Sequence, residues 1–156
     1  MDEQAAASNW LPDTDPRMAG SPYPARPARA GDRLLVSGDR TQGRLAVLVR
    51  ELAAGAEVPP RRHTDDDVVY VVLEGEVAVA GADGEQVVGA SAVLHVPPGT
   101  SHRYRALTDS VVLVLVAPAG AEHLLLHEDR LAAEDPGLLL ALAQEHRVAL
   151  LPGLLP

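Results

Sequence analysis

Short valine- and leucine-rich runs recur along most of this chain, broken by turn signals about every eight to twelve residues. That spacing points to an all-β sandwich or barrel. Strands are expected at Arg33–Ser37, Arg44–Leu52, Val68–Leu73, Val77–Ala80, Val87-Val88, Val93–Val96, His102–Ala106 and Val111–Val116. In the second of these, Leu45, Val47 and Val49 share one face. Val68–Leu73 shows no polar alternation, so cover is expected on both its faces. Ser37-Gly38-Asp39, Gln42-Gly43, Ala54–Glu57 and Glu74-Gly75-Glu76 read as turns, and Ala82-Asp83-Gly84 as a hairpin turn.

The ends read differently. Residues 1–30 hold five of the thirteen prolines. They read as an irregular arm, either disordered or lying across a partner subunit through Trp10, Leu11 and Tyr23. After Val116 the pattern turns helical. Glu122–Leu131 suits a short helix. Asp135 as N-cap with Pro136 at the first helical position starts another, and Gly137–Arg147 carries Leu138, Leu139, Leu142 and Ala143 on an apolar face. The tail from Val148 is too apolar for water and should pack on the barrel or on a neighbour. The expected division is an arm at 1–30, a barrel at 31–118 and a helical tail at 119–156.

Composition removes several functions. The length of 156 residues suits one domain. The core must be built from Val, Leu and Ala, since there is no Phe. A net charge of −9 argues against a nucleic-acid surface. All thirteen basic residues are arginine, so lysine chemistry is excluded, and the lack of cysteine excludes disulfides and thiolates. The start of the chain lacks signal-peptide character and no apolar run is long enough for a membrane span, which makes a cytoplasmic protein the expectation.

Two stretches carry the chemistry. Pro59-Pro60-Arg61-Arg62-His63-Thr64-Asp65-Asp66-Asp67 leads into the Val68 run, and Pro97-Pro98-Gly99-Thr100-Ser101-His102-Arg103-Tyr104 follows some thirty residues later. Each brings a histidine to a proline turn and, by expectation, to the start of a strand. Histidine titrates near neutrality and is the commonest metal ligand. Tyr104 lies two residues beyond His102, so the two share a face. Tyr70 shares the face of Val68 and Val72, and His95 is a further candidate for the interior. His123 and His127 stand four apart, but Leu124-Leu125-Leu126 between them makes a packing helix the better reading. Asp65 and Asp66 read as a solvated loop. Arg61 suits an anionic or carbonyl-rich ligand; the plain alternative is a surface arginine paired with Asp65 or Asp66.

These residues resemble the two motifs of the cupin superfamily. The first family motif runs glycine, five residues, His-x-His, three or four residues, Glu, six residues, Gly. The second runs Gly, five residues, Pro-x-Gly, two residues, His, three residues, Asn. Residues 59–76 look like the first and residues 97–102 like the second, over a resemblance covering about 40–118. The C-terminal segment around Asp135-Pro136 and His146 resembles the tail of small bacterial cupins labelled quercetin-dioxygenase-like or polyketide-cyclase-like. The resemblance implies a double-stranded β-helix, or jelly-roll barrel, with short C-terminal helices. It also implies a small-molecule ligand in the barrel and a homodimer.

The departures bear on function. In the family, three His and one Glu bind iron, manganese, nickel or zinc. Here Arg61 stands at the first His position, while His63 and His102 match the other two. Counting from His63 puts Asp67 at the Glu position; counting back from Gly75 puts Val68 there. Ala106 replaces the Asn, and Ser91 stands where Gly89 would be needed. The reading favoured is therefore an acid–base cyclase, dehydratase or isomerase of a bacterial biosynthetic pathway, without cofactor. Its residues would be His63, His102, Arg61 and Tyr104. One alternative is a dioxygenase-like cupin holding a divalent metal (Fe, Ni, Mn or Zn) on His63, Asp67 and His102. Another is a barrel that binds a ligand without transforming it.

Overall fold

The computed structural model describes residues 31–151. The arm with Trp10, Leu11 and Tyr23, and the last residues of the apolar tail, lie outside them. Ten strands form two five-stranded antiparallel sheets. They are β1 (Arg33–Val36), β2 (Ala46–Leu52), β3 (Glu57–His63), β4 (Asp67–Glu74), β5 (Glu76–Gly81), β6 (Gly84–Gly89), β7 (Val93–Val96), β8 (Ser101–Ala106), β9 (Ser110–Ala117) and β10 (Val148–Leu150). One sheet runs β1-β2-β9-β4-β7 and the other β10-β3-β8-β5-β6. This is the jelly-roll arrangement expected, with α1 (Glu122–Glu134) and α2 (Pro136–Glu145) after it. Neither helix is long and apolar enough to cross a membrane.

Strict alternation builds the core. Val112, Val114 and Val116 of β9 and Val68, Tyr70 and Val72 of β4 are all buried. They face Val58, Val77, Tyr104 and Ala106 of the other sheet, and inward-pointing valines every second residue are what a two-sheet core needs. The outer face of β4 is half-covered rather than sealed. Between β4 and β5, Gly75 has φ +82°, and a Cβ there would collide with Asp109 and Ser110. Only glycine fits that turn.

In β2 the inward side is Ala46, Leu48, Arg50 and Leu52; on the face of Leu45, Val47 and Val49, Val49 is buried and Leu45 exposed. Three expectations need correction. The Pro-Pro run is no turn; it lies inside β3, and His63 ends that strand rather than opening one. Proline breaks a ladder because it lacks an N–H. Here the β3–β8 register shifts between Val58 and Arg61, so the two prolines occupy the irregularity. On α2 the packed residues are Ala143, Leu139 and Leu142, whereas Leu138 and Leu140 are exposed. Finally, Val148–Leu150 forms a strand on β3, pairing Val148 with His63 and Leu150 with Arg61. Asp135 caps α2 as expected: its carboxylate accepts from Leu138 N–H at 3.0 Å, with Pro136 next.

Candidate active site

The site grows from the pairing of β3 with β8, which sets Arg61 opposite His102. Arg61 and His63 are two apart on one strand and so share its inner face. Both are buried, as are His102, Tyr70 and Tyr104. The His63 and His102 rings lie with centroids 6.1 Å apart, and Tyr70 packs against Tyr104 at 5.0 Å. Thus the structure brings together four of the residues singled out above, and Tyr70 with them.

Hydrogen bonds fix the proton positions. Thr100 C=O can only accept, so His102 Nδ1 carries a hydrogen and donates to it at 3.2 Å. His102 Nε2 then accepts from the Tyr70 hydroxyl at 2.8 Å. Burial, reinforced by Arg61 and His63, lowers the His102 pKa to about 4, against which the Thr100 bond works. His102 is therefore neutral at pH 7. Burial also pushes the Tyr70 phenol up, so it keeps its proton. His63 donates from Nδ1 to Asp66 Oδ2 at 3.1 Å. Its Nε2 is buried without a hydrogen-bond partner among the described residues. Asp66 is thus buried with His63, not solvated as the run of three aspartates suggested.

Below the histidines lies a charge cluster that sequence reasoning missed. Glu128 of α1 is 4% exposed and reaches between two buried arginines. Its Oε1 lies 2.5 Å from Arg50 Nη1 and its Oε2 2.5 Å from Arg61 Nη2. Arg50 also donates to Asp32 at 2.8 Å and to the Tyr104 hydroxyl at 3.3 Å. Arg61 is worse served. Its contact with Glu128 is short but off the line of a hydrogen bond, and Nη1 has no partner among the described residues. Arg61 is not the surface arginine of the alternative reading; Asp65 pairs instead with Arg147. Both missed residues left a trace. Arg50 interrupts the buried alternation Leu48-x-Arg50-x-Leu52, and Glu128 falls in the Leu124, Leu125, Leu131 stripe of α1.

A cavity of about 210 Å³ opens between the β5–β6 hairpin and β7, lined by Val79, Gln86, Leu94, Val96, Thr100 and His102. It reaches His102, the ladder partner of the buried Arg61. Of the other candidates, His95 stands at its rim. His95 does not face inward: it binds Asp67 at 2.7 Å on the outer surface, with the two side chains 55% and 51% exposed. Val68, not Asp67, takes the inward position, because β4 pairs with β9 in the register that buries Val68. His123 and His127 lie exposed on α1.

The donor set does not fit a divalent ion. Asp67 points away, Val68 offers no oxygen, His102 Nε2 is engaged by Tyr70, and Arg61 adds a fixed cation nearby. Among the described residues no three His, Asp or Glu side chains gather as ligands.

The buried neutral His102 gives a pH prediction. Its folded pKa of about 4 lies below the ordinary 6.5, so the unfolded chain binds more protons between those values. Its share of stability, on the order of 3 kcal/mol, is whole above pH 6.5 and is lost as pH falls through 4. Urea titrations from pH 7 to pH 4 should show this loss, and His102→Gln should flatten it. An equal slope in the variant would assign the acid sensitivity elsewhere.

Comparison with known proteins agrees with this geometry. The cupin domain family model matches residues 48–118. No curated protein matches the chain. Among solved structures, an RmlC-like cupin from Desulfovibrio desulfuricans is 29% identical, with TM-score 0.56, over 65% of this chain and 98% of that one. A predicted oxalate decarboxylase from Thermotoga maritima is similar at 20% identity and TM-score 0.54, over 56% and 78% of the two chains. KdgF from a Halomonas species is similar at 22% and 0.51, over 56% and 76%. The latter two likenesses speak for the fold alone. The two five-stranded sheets, the paired motifs around His63 and His102 and the matched family model agree that residues 48–118 carry a cupin domain.

Proposed function

We propose that the barrel is an acid–base site for a small molecule, of the isomerase, dehydratase or cyclase type, working without a metal in a bacterial biosynthetic pathway. The observation that carries this reading is a pair of buried, unpartnered atoms on one strand face, His63 Nε2 and Arg61 Nη1. Leaving such atoms unsatisfied costs about 1–3 kcal/mol each, and a ligand offering an acidic C–H and an anionic or carbonyl oxygen satisfies both. In the neutral ring, Asp66 holds hydrogen on Nδ1 and leaves Nε2 as the base.

The proton accounting is simple. His63 Nε2 takes a proton from a carbon beside a carbonyl, and the electron pair moves onto the oxygen held by Arg61. Returning the proton to another carbon completes an isomerisation. Giving it to a departing hydroxyl releases water. Tyr104 accepts from Arg50 and keeps its own hydrogen to donate. His102, with both nitrogens engaged, acts as a neutral support for Tyr70. The cavity beside His102, about 210 Å³, has room for a small molecule.

Small keto and hydroxy acids incubated with the protein in D2O should exchange hydrogen for deuterium beside the carbonyl, read by NMR, and the exchange should survive chelation. Metal analysis of untagged protein should give well under one ion per chain. Binding without exchange would leave a ligand-holding barrel. Stoichiometric iron, nickel or manganese, with exchange lost to chelator and restored by that metal, would favour the dioxygenase-like reading. We also propose a homodimer, since β1, β6, β7 and β10 end their sheets as open edges among the described residues. Light scattering should report about twice the 16.4 kDa chain mass; a species at the chain mass would refute it.

A further inference from the structure

We propose that Arg61, Arg50 and Tyr104 form a carboxylate subsite at the barrel floor, and that Glu128 is its built-in occupant, which a ligand carboxylate displaces. This rests on the reading of Arg61 as the group that holds the ligand's anionic oxygen.

Glu128 is held as a ligand would be. It comes from α1, a helix seated through Leu124, Leu125 and Leu131, and gives one carboxylate oxygen to each guanidinium. Planar, two-oxygen recognition is what arginine provides best. The two sides of this bridge are unequal. Without Glu128, Arg50 would keep Asp32 at 2.8 Å, Asp129 at 3.4 Å and the Tyr104 hydroxyl. Among the described residues, Arg61 would keep only the Pro59 carbonyl at 3.4 Å. Even with Glu128 present, Arg61 Nη1 is unpartnered and the Nη2 contact is misaligned. A carboxylate tethered to a helix cannot turn to face both Arg61 nitrogens, whereas a free one can, as a bidentate pair. His102 lines the cavity and stands opposite Arg61 in the ladder, while Arg61, Arg50 and Tyr104 are buried and do not line it.

Two carboxylates on Arg61 repel each other. A ligand seated on Nη1 and Nη2 therefore drives Glu128 off Nη2, and α1 loses one of its anchors. The start of α1 is held separately, by the buried Glu122 carboxylate accepting from the Gly38 and Gly120 N–H groups, so the loosening falls on the turns around Glu128. Ligand entry and loosening of α1 become one equilibrium.

The test uses the full chain with pyruvate, lactate and acetate as probes, and inorganic phosphate as the contrasting anion. If the state with Glu128 withdrawn is about a tenth of the population, Glu128→Gln should bind the carboxylates about tenfold more tightly. Arg61→Gln should lose them. Backbone hydrogen exchange in α1 of the unaltered protein should quicken at saturating probe. Unchanged or weaker binding by a Glu128→Gln protein with normal circular dichroism, together with unchanged or slowed exchange in α1, overturns the displacement while leaving Arg61 as the anion holder. If Glu128→Gln fails to fold, the exchange measurement on the unaltered protein decides alone. Failure of every carboxylate to bind either protein overturns the reading of Arg61 as well, and a preference for phosphate overturns the ligand class.

Discussion

Replacing Arg50 by alanine should destabilise the protein by about 3–5 kcal/mol, the cost of breaking a buried ion pair from one side. Arg50 is 1% exposed and ties Asp32, Glu128, Asp129 and Tyr104 together. Its removal leaves the Glu128 carboxylate buried with only the misaligned Arg61. It also unties α1 from β2 and from the segment before β1. For a chain of this size each kcal/mol moves the melting temperature by about 2–4 °C, so a fall on the order of 10 °C is expected. Arg50→Lys should recover only part of the loss, since an ammonium cannot present the guanidinium's planar fork. Thermal and urea unfolding check this, and a loss under 1 kcal/mol would show the cluster to be dispensable to the fold.

The second large effect falls on chemistry. His63→Ala should slow deuterium exchange, or turnover of the eventual substrate, by about 10²–10⁴-fold, the usual worth of a positioned general base. Asp66→Asn should approach the same loss by a different route. An amide can donate to Nδ1, which would move the ring hydrogen to Nε2 and leave no lone pair facing the ligand. His102→Ala should also lower turnover, by releasing Tyr70 from its 2.8 Å bond. Full activity in Asp66→Asn would mean that His63 is not oriented by Asp66, and full activity in His63→Ala would remove it from the mechanism.

The barrel itself was legible because its signals are local. Valines at every second position in β4 and β9, and turn residues such as Gly75, state their own geometry. His63 and His102 were legible for the same reason, each standing beside a proline-rich run of recognisable spacing. What the sequence hid depends on partners far away. Whether Asp67 or Val68 faces inward is decided by the pairing of β4 with β9, where their partners are Ala117 and Val116, far along the chain. Three consecutive aspartates look alike in sequence, yet Arg147 takes Asp65, His63 takes Asp66 and His95 takes Asp67. Arg50 and Glu128 look like ordinary surface charges until the helix is laid against the strand and each is seen to need the other. β3 was missed because two prolines contradict a strand unless the ladder is already broken there.

The lateral cover of β3 by β10 has a consequence for how the protein is made. Arg61 and His63 pair with Leu150 and Val148, so the strand bearing the site is synthesised long before the segment that seals its edge. At about 5–20 residues per second, the gap is roughly 4–17 s of translation. Throughout that interval the nascent barrel carries an open strand edge, a template for pairing with any neighbouring chain, beside two arginines whose carboxylate from α1 is also still to come. The most exposed moment in the life of this protein is therefore on the ribosome.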